Sequence, residues 1–186
     1  MSRSSKWLFL KKFIAQPSIN ASVVPSSQAL ARLMMQDIDW SVVDTVIEFG
    51  PGTGVFTRHI IKHAKPGSKI ILLEFDHDYC QLLKDKFGDQ VTIILWDVRQ
   101  FENMIQKHLI PFPDLIISWL PYFPFTWYEW NKLLQYLKIL IDKWCLMRWF
   151  SYSPWRFIKT YKVLHPILVD YTLSCIPPAF VYEMKK

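Results

Sequence analysis

Three acidic residues stand at the ends of three successive apolar stretches of the sequence: Glu48, Glu74 and Asp97. A glycine-rich turn, Gly50-Pro51-Gly52-Thr53-Gly54, follows the first of them. Because glycine lacks a Cβ, this turn permits a tight bend and the close approach of a ligand to the backbone. Carboxylates after the second and third strands can accept hydrogen bonds from ribose hydroxyls and from an adenine amine. Together these residues predict a nucleoside-binding site.

The spacing of the glycines favours one class of nucleoside ligand. A dinucleotide fingerprint would place its third glycine at position 55, where this chain has Val55. The turn therefore suits a nucleoside that carries an amino acid better than one that carries a pyrophosphate. Asp76 competes with Glu74 for the ribose, although the cap of a following helix is its more ordinary role. His59 and His63 are four residues apart on a predicted helix and are interpreted as a surface pair, not as metal ligands.

The elements that must position these groups alternate between strand and helix patterns. Strands are predicted at Thr45–Phe49, Lys69–Phe75, Val91–Leu95, Asp114–Ser118, Trp144–Tyr152, Val169–Leu173 and Ala179–Glu183. Helices are predicted at Phe56–His63, Tyr79–Phe87 with Leu82 and Leu83 turned inward, Phe101–Leu109 and Trp127–Ile141. Such alternation predicts an α/β fold, with a mostly parallel sheet and helices on both faces. Ligands of such sheets bind beyond the carboxyl ends of the strands, where the acids lie.

The composition and the distribution of charge exclude some classes of protein. The 186 residues are 51% hydrophobic and 20% charged, which excludes a disordered chain. The net charge of +6 is uneven, since residues 1–36 contain five basic and no acidic side chains. A polyanion-binding domain would more often spread its charge over a whole face. Three cysteines without metal-like spacing indicate buried thiols in a reducing compartment, and neither a secretory signal nor a membrane-spanning helix is expected.

The order and spacing of these motifs from Asp44 to Ser118 resemble the class I S-adenosylmethionine-dependent methyltransferases. The resemblance implies a Rossmann-like fold with a seven-stranded sheet and S-adenosyl-L-methionine as cofactor, with S-adenosyl-L-homocysteine as product. It places the methionine part of the cofactor on the glycine turn, the ribose on Glu74 and the adenine on Asp97 and Val98. The cofactor-binding residues implied in this way are Glu48, Phe49, Gly50, Pro51, Gly52, Thr53, Gly54, Glu74, Phe75, Asp97, Val98 and Ser118.

The methyl acceptor is expected at the end of the fourth strand, at Ser118-Trp119-Leu120-Pro121-Tyr122. Adenine N6-methyltransferases have a similar signature, but with an Asn where Trp119 stands. An indole offers one donor and no acceptor, so it cannot receive the hydrogens of the target amine. RNA or DNA is therefore not the expected acceptor, and an rRNA adenine N6-methyltransferase remains the alternative. A methyltransferase-fold binding protein without catalysis is a second alternative.

Segments along nearly the whole chain are similar to the bacterial phospholipid N-methyltransferases of the soluble, peripheral type. They are Phe9–Ile14, Val24–Ala31, Phe49–Thr57, Ser118–Pro121 and Ile176–Tyr182. This resemblance implies stepwise N-methylation of phosphatidylethanolamine toward phosphatidylcholine, without a metal. That family usually has a glycine at the position of Trp119 and a glycine turn where Asp142-Lys143-Trp144 stands. For such a substrate we expect the binding residues to be Ser26, Ser27, Trp119, Tyr122 and Tyr152, with Tyr122 orienting the nitrogen; Glu129 is a less favoured proton acceptor.

The N-terminal segment has the pattern of a basic amphipathic helix. On a helical wheel Trp7, Phe9, Leu10, Phe13 and Ile14 share an apolar arc of roughly 160°. Basic helices with Trp and Phe anchors lie in membrane interfaces and prefer anionic lipid. The expected membrane-binding residues are Lys6, Trp7, Phe9, Leu10, Lys11 and Phe13. We expect residues 1–36 to bind the membrane and cover the cofactor, residues 37–186 to form the methyltransferase domain, and the protein to be a cytoplasmic monomer at the inner face of the membrane.

Overall fold

The computed structural model describes residues 23–97, 100–107, 109–119, 126–152, 166–174 and 178–186. These residues form five α-helices: α1 Val23–Met35, α2 Val55–His63, α3 His77–Phe87, α4 Phe101–Gln106 and α5 Trp127–Asp142. They also form seven strands: β1 Thr45–Phe49, β2 Lys69–Glu74, β3 Thr92–Leu95, β4 Leu115–Ser118, β5 Leu146–Ser151, β6 Ile167–Thr172 and β7 Ala179–Met184.

The seven strands form one sheet in the order β3-β2-β1-β4-β5-β7-β6. Strands β1 to β5 are parallel to one another, whereas β7 runs antiparallel between β5 and β6. The predicted mostly parallel, seven-stranded sheet is confirmed. The register places Phe49 beside both Leu73 and Ser118, and Glu74 beside Leu95. The carboxyl ends of β1 to β4 therefore meet at one edge of the sheet.

Two hydrophobic clusters cover the two faces of the sheet. Helices α1, α2 and α3 contribute to one, through residues such as Met34, Ile60 and Leu83. Helices α4 and α5 contribute to the other, through residues such as Met104 and Leu137. Every residue of β1 and of β4 is buried, as expected for strands covered on both faces. This burial fixes the positions of the turns that follow these two strands.

Helix α1 was not predicted as a separate element. It runs from Val23 to Met35, and Leu30, Ala31 and Met34 on one side of it are buried against the sheet. Pro25 lies in its first turn, where a proline costs no helical hydrogen bond. The helical spacing of Leu30, Ala31 and Met34 is the sequence signal for this helix. None of the helices among the described residues is long and apolar enough to cross a membrane.

Two details of the predicted elements were wrong. Trp144 was predicted to begin a strand, but it lies in the turn between α5 and β5 with a φ of 77°. Its N–H and that of Cys145 donate to carbonyls of the last turn of α5, which is the arrangement that ends many helices. Leu82 was predicted to face inward, but it is exposed, whereas its neighbour Leu83 is fully buried. The helical period allows only one of two adjacent residues to face the core centrally.

A buried ion pair fastens α1 to the sheet. Arg148 of β5 lies opposite Glu183 of β7, and its Nε donates to Glu183 Oε2 at 2.8 Å. Its Nη1 donates to the backbone carbonyls of Leu33, Met34 and Gln36 at the end of α1. Burial alone would raise the pKa of Glu183, but hydrogen bonds from Lys185 and Arg148 hold it below its ordinary value. One guanidinium thus joins two strands and a helix terminus.

Candidate cofactor and acceptor site

The glycine turn after β1 depends on backbone conformations that favour glycine. Gly50, Gly52 and Gly54 have φ values of 66°, 54° and 78°, in the left-handed region. Gly50 N–H donates to Leu73 O at 3.0 Å, and Gly54 N–H donates to Pro51 O at 2.9 Å. Gly54 is also the cap residue from which α2 begins. The turn therefore brings the start of α2 to the carboxyl edge of the sheet.

Helix α3 supports the turn from behind. A Cβ built on Gly54 would lie 2.5 Å from Cε2 of Phe87 and 3.0 Å from Cδ2 of Leu83. Lys86 Nζ donates to Thr53 O at 2.8 Å. The turn is thus held by packing at one glycine and by a charged donor at its outer side. Neither Lys86 nor Phe87 was recognised as part of the site from sequence, because their contacts with the turn arise only in the folded chain.

Glu74, at the end of β2, binds the glycine turn directly. Its Oε2 accepts from Gly52 N–H at 3.1 Å, and its Oε1 accepts from the N–H groups of Phe75 and Asp76 at 2.8 and 2.9 Å. Burial raises the pKa of Glu74, and these three donors oppose the rise. A carboxylate has about four acceptor positions. About one position on Glu74 therefore remains for a further donor such as a ribose hydroxyl.

Glu48 is fully buried on β1, on the face that α2 covers. Its Oε2 accepts from Thr57 Oγ1 at 2.7 Å, and its Oε1 has no partner among the described residues. Burial raises the pKa of Glu48 to about 8, with the Thr57 hydrogen bond acting against the rise and the charge of Glu74 adding to it. A buried carboxyl with an open oxygen beside a glycine turn is suited to a ligand that brings an N–H or O–H donor.

This pKa predicts a specific dependence of stability on pH. An unfolded Glu titrates near 4.5 and the folded Glu48 near 8, so between these values the folded state binds one more proton. The free energy of unfolding should therefore fall as pH rises through this window, by up to about 1.4 kcal/mol per pH unit from this residue. Denaturant titrations at several pH values should show a flatter profile for Glu48→Gln than for the parent protein. Equal slopes in the two proteins would contradict the assignment.

The third acid, Asp97, lies two residues beyond β3 and is half-buried. The preceding residue, Trp96, donates its backbone N–H to Glu74 O at 2.9 Å, which ties this turn to the end of β2. Phe75 is half-exposed at the same edge. Asp76 caps α3, since its side chain accepts from Asp78 N–H, so its more ordinary predicted role is confirmed. The structure thus places Glu48, Glu74 and Asp97 at successive strand ends of one edge.

Four aromatic rings pack together beside the ends of β4 and β5, three of them in mutual contact with centroids 5.7 to 6.2 Å apart, and we call this group the aromatic row. It consists of Phe56, Trp119, Phe150 and Tyr152. Trp119 follows β4 and donates its backbone N–H to Phe49 O at 3.1 Å. Its ring centroid lies 5.9 Å from that of Phe56 and 6.2 Å from that of Phe150, and Tyr152 lies 5.3 Å beyond Phe150. The predicted substrate residues Trp119 and Tyr152 are thus joined through Phe150.

The structure shows local contacts for other residues that the sequence suggested as site candidates. Ser118 ends β4 and is buried between β1 and β5. Glu129 forms a capping box with Thr126 at the start of α5, which accounts for this acid without a role in proton transfer. His63 Nδ1 lies 2.7 Å from His59 O, which agrees with a local pair on the surface of α2.

Several predicted residues lie outside the described part of the structure. These are Val98, Tyr122 and the membrane-binding residues Lys6, Trp7, Phe9, Leu10, Lys11 and Phe13. Ser26 and Ser27 lie within α1, but their side chains are not among those described.

Phe56 and Phe150 were not predicted as site residues from the sequence. Strand alternation places Phe150 on the same face as Arg148, which was the available signal for it.

The donor set of S-adenosylmethionine fits these groups. The molecule carries an ammonium, two ribose hydroxyls and an adenine amine, and the edge offers a carboxyl oxygen without a described partner on Glu48, a partly used carboxylate on Glu74, and Asp97. The sheet order, the antiparallel β7 and the glycine turn after β1 define a Rossmann-like methyltransferase fold. The protein is a class I S-adenosylmethionine-dependent methyltransferase.

Within this class, the chain belongs to the ribosomal RNA adenine dimethylase family, whose sequence model matches residues 11–123. An ornithine lipid N-methyltransferase of Singulisphaera acidiphila is 28% identical over 179 residues, which cover 95% of this chain and 93% of that protein. A ribosomal RNA small subunit methyltransferase A of a Synechococcus species is 27% identical over 114 residues. That match covers 61% of this chain but only 36% of the Synechococcus protein.

Solved structures agree on the fold. The structure of a DhpI–SAH complex superposes with a TM-score of 0.66 over 98% of this chain and 96% of that chain. Its sequence is 12% identical to this one, so the likeness concerns the fold alone. The extent of the superposition confirms the predicted methyltransferase architecture.

Proposed function

We propose that the protein transfers methyl groups from S-adenosylmethionine to the amine of a lipid headgroup at a membrane surface. The substrate we favour is phosphatidylethanolamine, methylated stepwise toward phosphatidylcholine. The observation that carries the proposal is Trp119 at the end of β4. Its ring packs with Phe56 and Phe150 at the position where an adenine N6-methyltransferase would present an amide to the target base. The similarity to a lipid N-methyltransferase along nearly the whole chain supports a lipid acceptor.

In this proposal the glycine turn, Glu74 and Asp97 hold the cofactor. Gly50, Gly52 and Gly54 lie against its methionine part, with Pro51, Thr53 and Phe49 completing the turn. Glu74 accepts from the ribose, while Asp97 and Val98 bind the adenine. Glu48, Phe75 and Ser118 complete the walls of the pocket. When bound, S-adenosylmethionine supplies a methyl group that its sulfonium makes electrophilic.

The chain's own residues position the acceptor amine and favour its neutral form. A lipid amine, like that of Lys, is protonated at neutral pH, and burial next to apolar side chains lowers the pKa of such a group. The aromatic row provides an apolar wall of this kind. Tyr122 orients the nitrogen, and Ser26, Ser27 and Tyr152 bind the phosphate. Because methyl transfer is an in-line displacement, this positioning is the main contribution of the protein to the rate.

The N-terminal segment brings the enzyme to its substrate. Residues 1–36 carry five basic and no acidic side chains, which favours the anionic inner face of a membrane. Lys6, Lys11 and the apolar anchors Trp7, Phe9, Leu10 and Phe13 are proposed to insert at the interface. This arrangement makes the protein a peripheral cytoplasmic enzyme.

Removal of residues 1–16 tests the proposed anchor. The shortened protein should lose sedimentation with vesicles that contain anionic lipid, and it should keep its affinity for S-adenosylmethionine in calorimetry, because the described cofactor groups lie beyond residue 40. A variant with Lys11 and Lys12 changed to Gln separates charge from apolar insertion and should lose only part of the binding. Undiminished vesicle binding by the shortened protein would reject the anchor.

Two other functions remain as candidates. Methylation of an rRNA adenine is favoured by the family that matches residues 11–123 and by the similarity to methyltransferase A enzymes. The chain lacks the Asn of the adenine signature at Trp119, which is the reason for placing this candidate second. The other candidate is a methyltransferase-fold protein that binds its ligand without catalysis.

Incubation with methyl-labelled S-adenosylmethionine distinguishes the three candidates. The full-length protein receives either vesicles of phosphatidylethanolamine with an anionic lipid, or small-subunit ribosomal RNA. Label in lipid that co-migrates with N-methylated phosphatidylethanolamine is the expected result. Label in RNA alone would overturn the proposal in favour of the rRNA candidate. Calorimetric binding of the cofactor without label in either acceptor would reject phosphatidylethanolamine as the substrate and leave either another lipid amine or the non-catalytic protein.

A further inference from the structure

If the acceptor nitrogen lies beside Trp119, as the proposed function requires, this side chain limits the hydrogen bonds that the nitrogen can form. An indole presents one N–H donor and no acceptor. A neutral primary amine has two N–H groups that need acceptors when buried, and a secondary amine has one. A tertiary amine has none. Beside Trp119, a dimethylated (tertiary) amine loses no hydrogen bond when it is buried, because it has no N–H group. An unmethylated amine has two N–H groups, and this side chain offers no acceptor for either of them.

The aromatic row also suits a methylated nitrogen. Trp119 is half-buried beside Phe56 and Phe150, and Tyr152, the outer ring of the row, is 39% exposed. Aromatic faces attract cations, and Trp gives the strongest interaction among the side chains. Methyl groups on a nitrogen spread its positive charge over a larger apolar surface. Such a surface packs on aromatic rings, while a bare ammonium prefers water.

The movement of charge during transfer gives this contact its effect on rate. The nitrogen lone pair forms the new N–C bond as the C–S bond breaks, and the electron pair of that bond passes to sulfur. Positive charge therefore moves from sulfur to nitrogen. A contact with an aromatic face that strengthens as nitrogen becomes positive lowers the barrier, because it is stronger in the transition state than in the ground state. A primary or secondary amine releases one proton to water after each transfer, whereas a tertiary amine releases none.

We propose, on the basis of the proposed function, that Trp119 makes this site selective for acceptor amines that already carry methyl groups. The last transfer, from a dimethylated to a trimethylated headgroup, is then the most efficient. Selection of this kind acts through the missing acceptor, which penalises the unmethylated amine, and through the aromatic face, which favours the methylated one. A glycine at this position would lack the aromatic face, and an Asn would lack the face and also supply an acceptor.

The test compares two lipids and three substitutions. Vesicles contain either phosphatidylethanolamine or its N,N-dimethyl derivative, and the measured quantity is the ratio of kcat/KM for the dimethyl lipid to that for the unmethylated one. The ratio should exceed one in the parent protein. Trp119→Phe keeps an aromatic face and should retain most of the preference. Trp119→Asn should lower the ratio by about 3- to 30-fold, the range that corresponds to loss of a cation–π contact.

Two controls make the outcome decisive. Calorimetric affinity for S-adenosylmethionine confirms that each variant is folded, and Trp119→Leu replaces the Asn variant if that protein does not fold. A parent protein that prefers the unmethylated lipid, or an unchanged ratio in a folded Asn or Leu variant, would overturn the inference while leaving lipid methylation intact. Absence of label from both lipids with the parent protein would reject phosphatidylethanolamine as the substrate, and this inference with it.

Discussion

Gly54→Ala should weaken the binding of S-adenosylmethionine at least tenfold and destabilise the fold. The φ of Gly54 is 78°, where a residue with a Cβ pays about 1–2 kcal/mol. The new Cβ would also lie 2.5 Å from the ring of Phe87, and overpacking of this kind costs about 1–3 kcal/mol more. Phe87 is buried, so the turn must move in order to relieve the overlap. Displacement of the turn would move the backbone groups proposed to hold the cofactor.

Gly67 provides a matched control for this experiment. Its φ of 88° imposes a similar backbone penalty, but no atom lies within 4 Å of the position that its Cβ would take. Gly67→Ala should therefore reduce the free energy of unfolding by about 1–2 kcal/mol and leave cofactor affinity unchanged within twofold. Isothermal calorimetry and denaturant titration measure the two quantities. If both variants bind the cofactor equally well, the turn at Gly54 is not where it binds.

A second substitution separates packing from backbone strain. Phe87→Leu removes ring atoms that the new Cβ would meet, so the double variant Gly54→Ala with Phe87→Leu should recover part of the lost affinity. The remaining loss measures the cost of the left-handed conformation. The comparison needs Phe87→Leu alone as a reference, since loss of the ring from a core position is itself destabilising. Additive effects of the two substitutions would show that the ring and the turn are not coupled.

The strands and the glycine turn that position the candidate site residues were predicted correctly from the sequence. Burial on both faces requires continuous apolar strands, and Ile70–Leu73 and Leu115–Ile117 have this pattern and are buried in the structure. Glu48 and Glu74 lie in the last residues of their strands and Asp97 lies just beyond its strand, and sequence order alone determines these positions. The glycine turn was equally visible, because left-handed backbone conformations leave a strong preference for glycine.

What the sequence did not predict depends on contacts between distant parts of the chain. The replacement at Trp119 was evident, but the rings that pack against it come from a helix and a strand that are far from it in sequence. Glu74 was predicted to bind a ribose, whereas the contact with Gly52 N–H, 22 residues away, by which it holds the glycine turn was not predicted. Neither contact has a periodic signature, because periodicity reports only which face of an element is buried.

The contacts of Arg148 likewise could not be predicted from the sequence, and its substitution is expected to have a large effect on stability. Its side chain is 2% exposed, and it is surrounded in sequence by the apolar residues of β5. Its partners are Glu183, 35 residues away, and the last carbonyls of α1, more than 110 residues away. The guanidinium satisfies carbonyls that a helix end leaves without intrahelical donors. Because α1 covers the same face of the sheet as the aromatic row, this contact fixes the helix that closes that side.

Arg148→Met should therefore reduce the free energy of unfolding by about 3–5 kcal/mol, as expected when one partner of a buried ion pair is removed. Glu183 would then be left buried, with Lys185 as its remaining cation, and the α1 carbonyls would lose their donor. The double variant Arg148→Met with Glu183→Leu should be more stable than Arg148→Met alone, because no charge remains unpaired. Lys138→Ala is the control, since Lys138 and Asp142 form an exposed i,i+4 pair worth about 0.3–0.5 kcal/mol. Denaturant titration of the parent protein and the three variants measures these free energies of unfolding. A decrease of less than about 1 kcal/mol in Arg148→Met would mean that α1 is held by its apolar contacts alone.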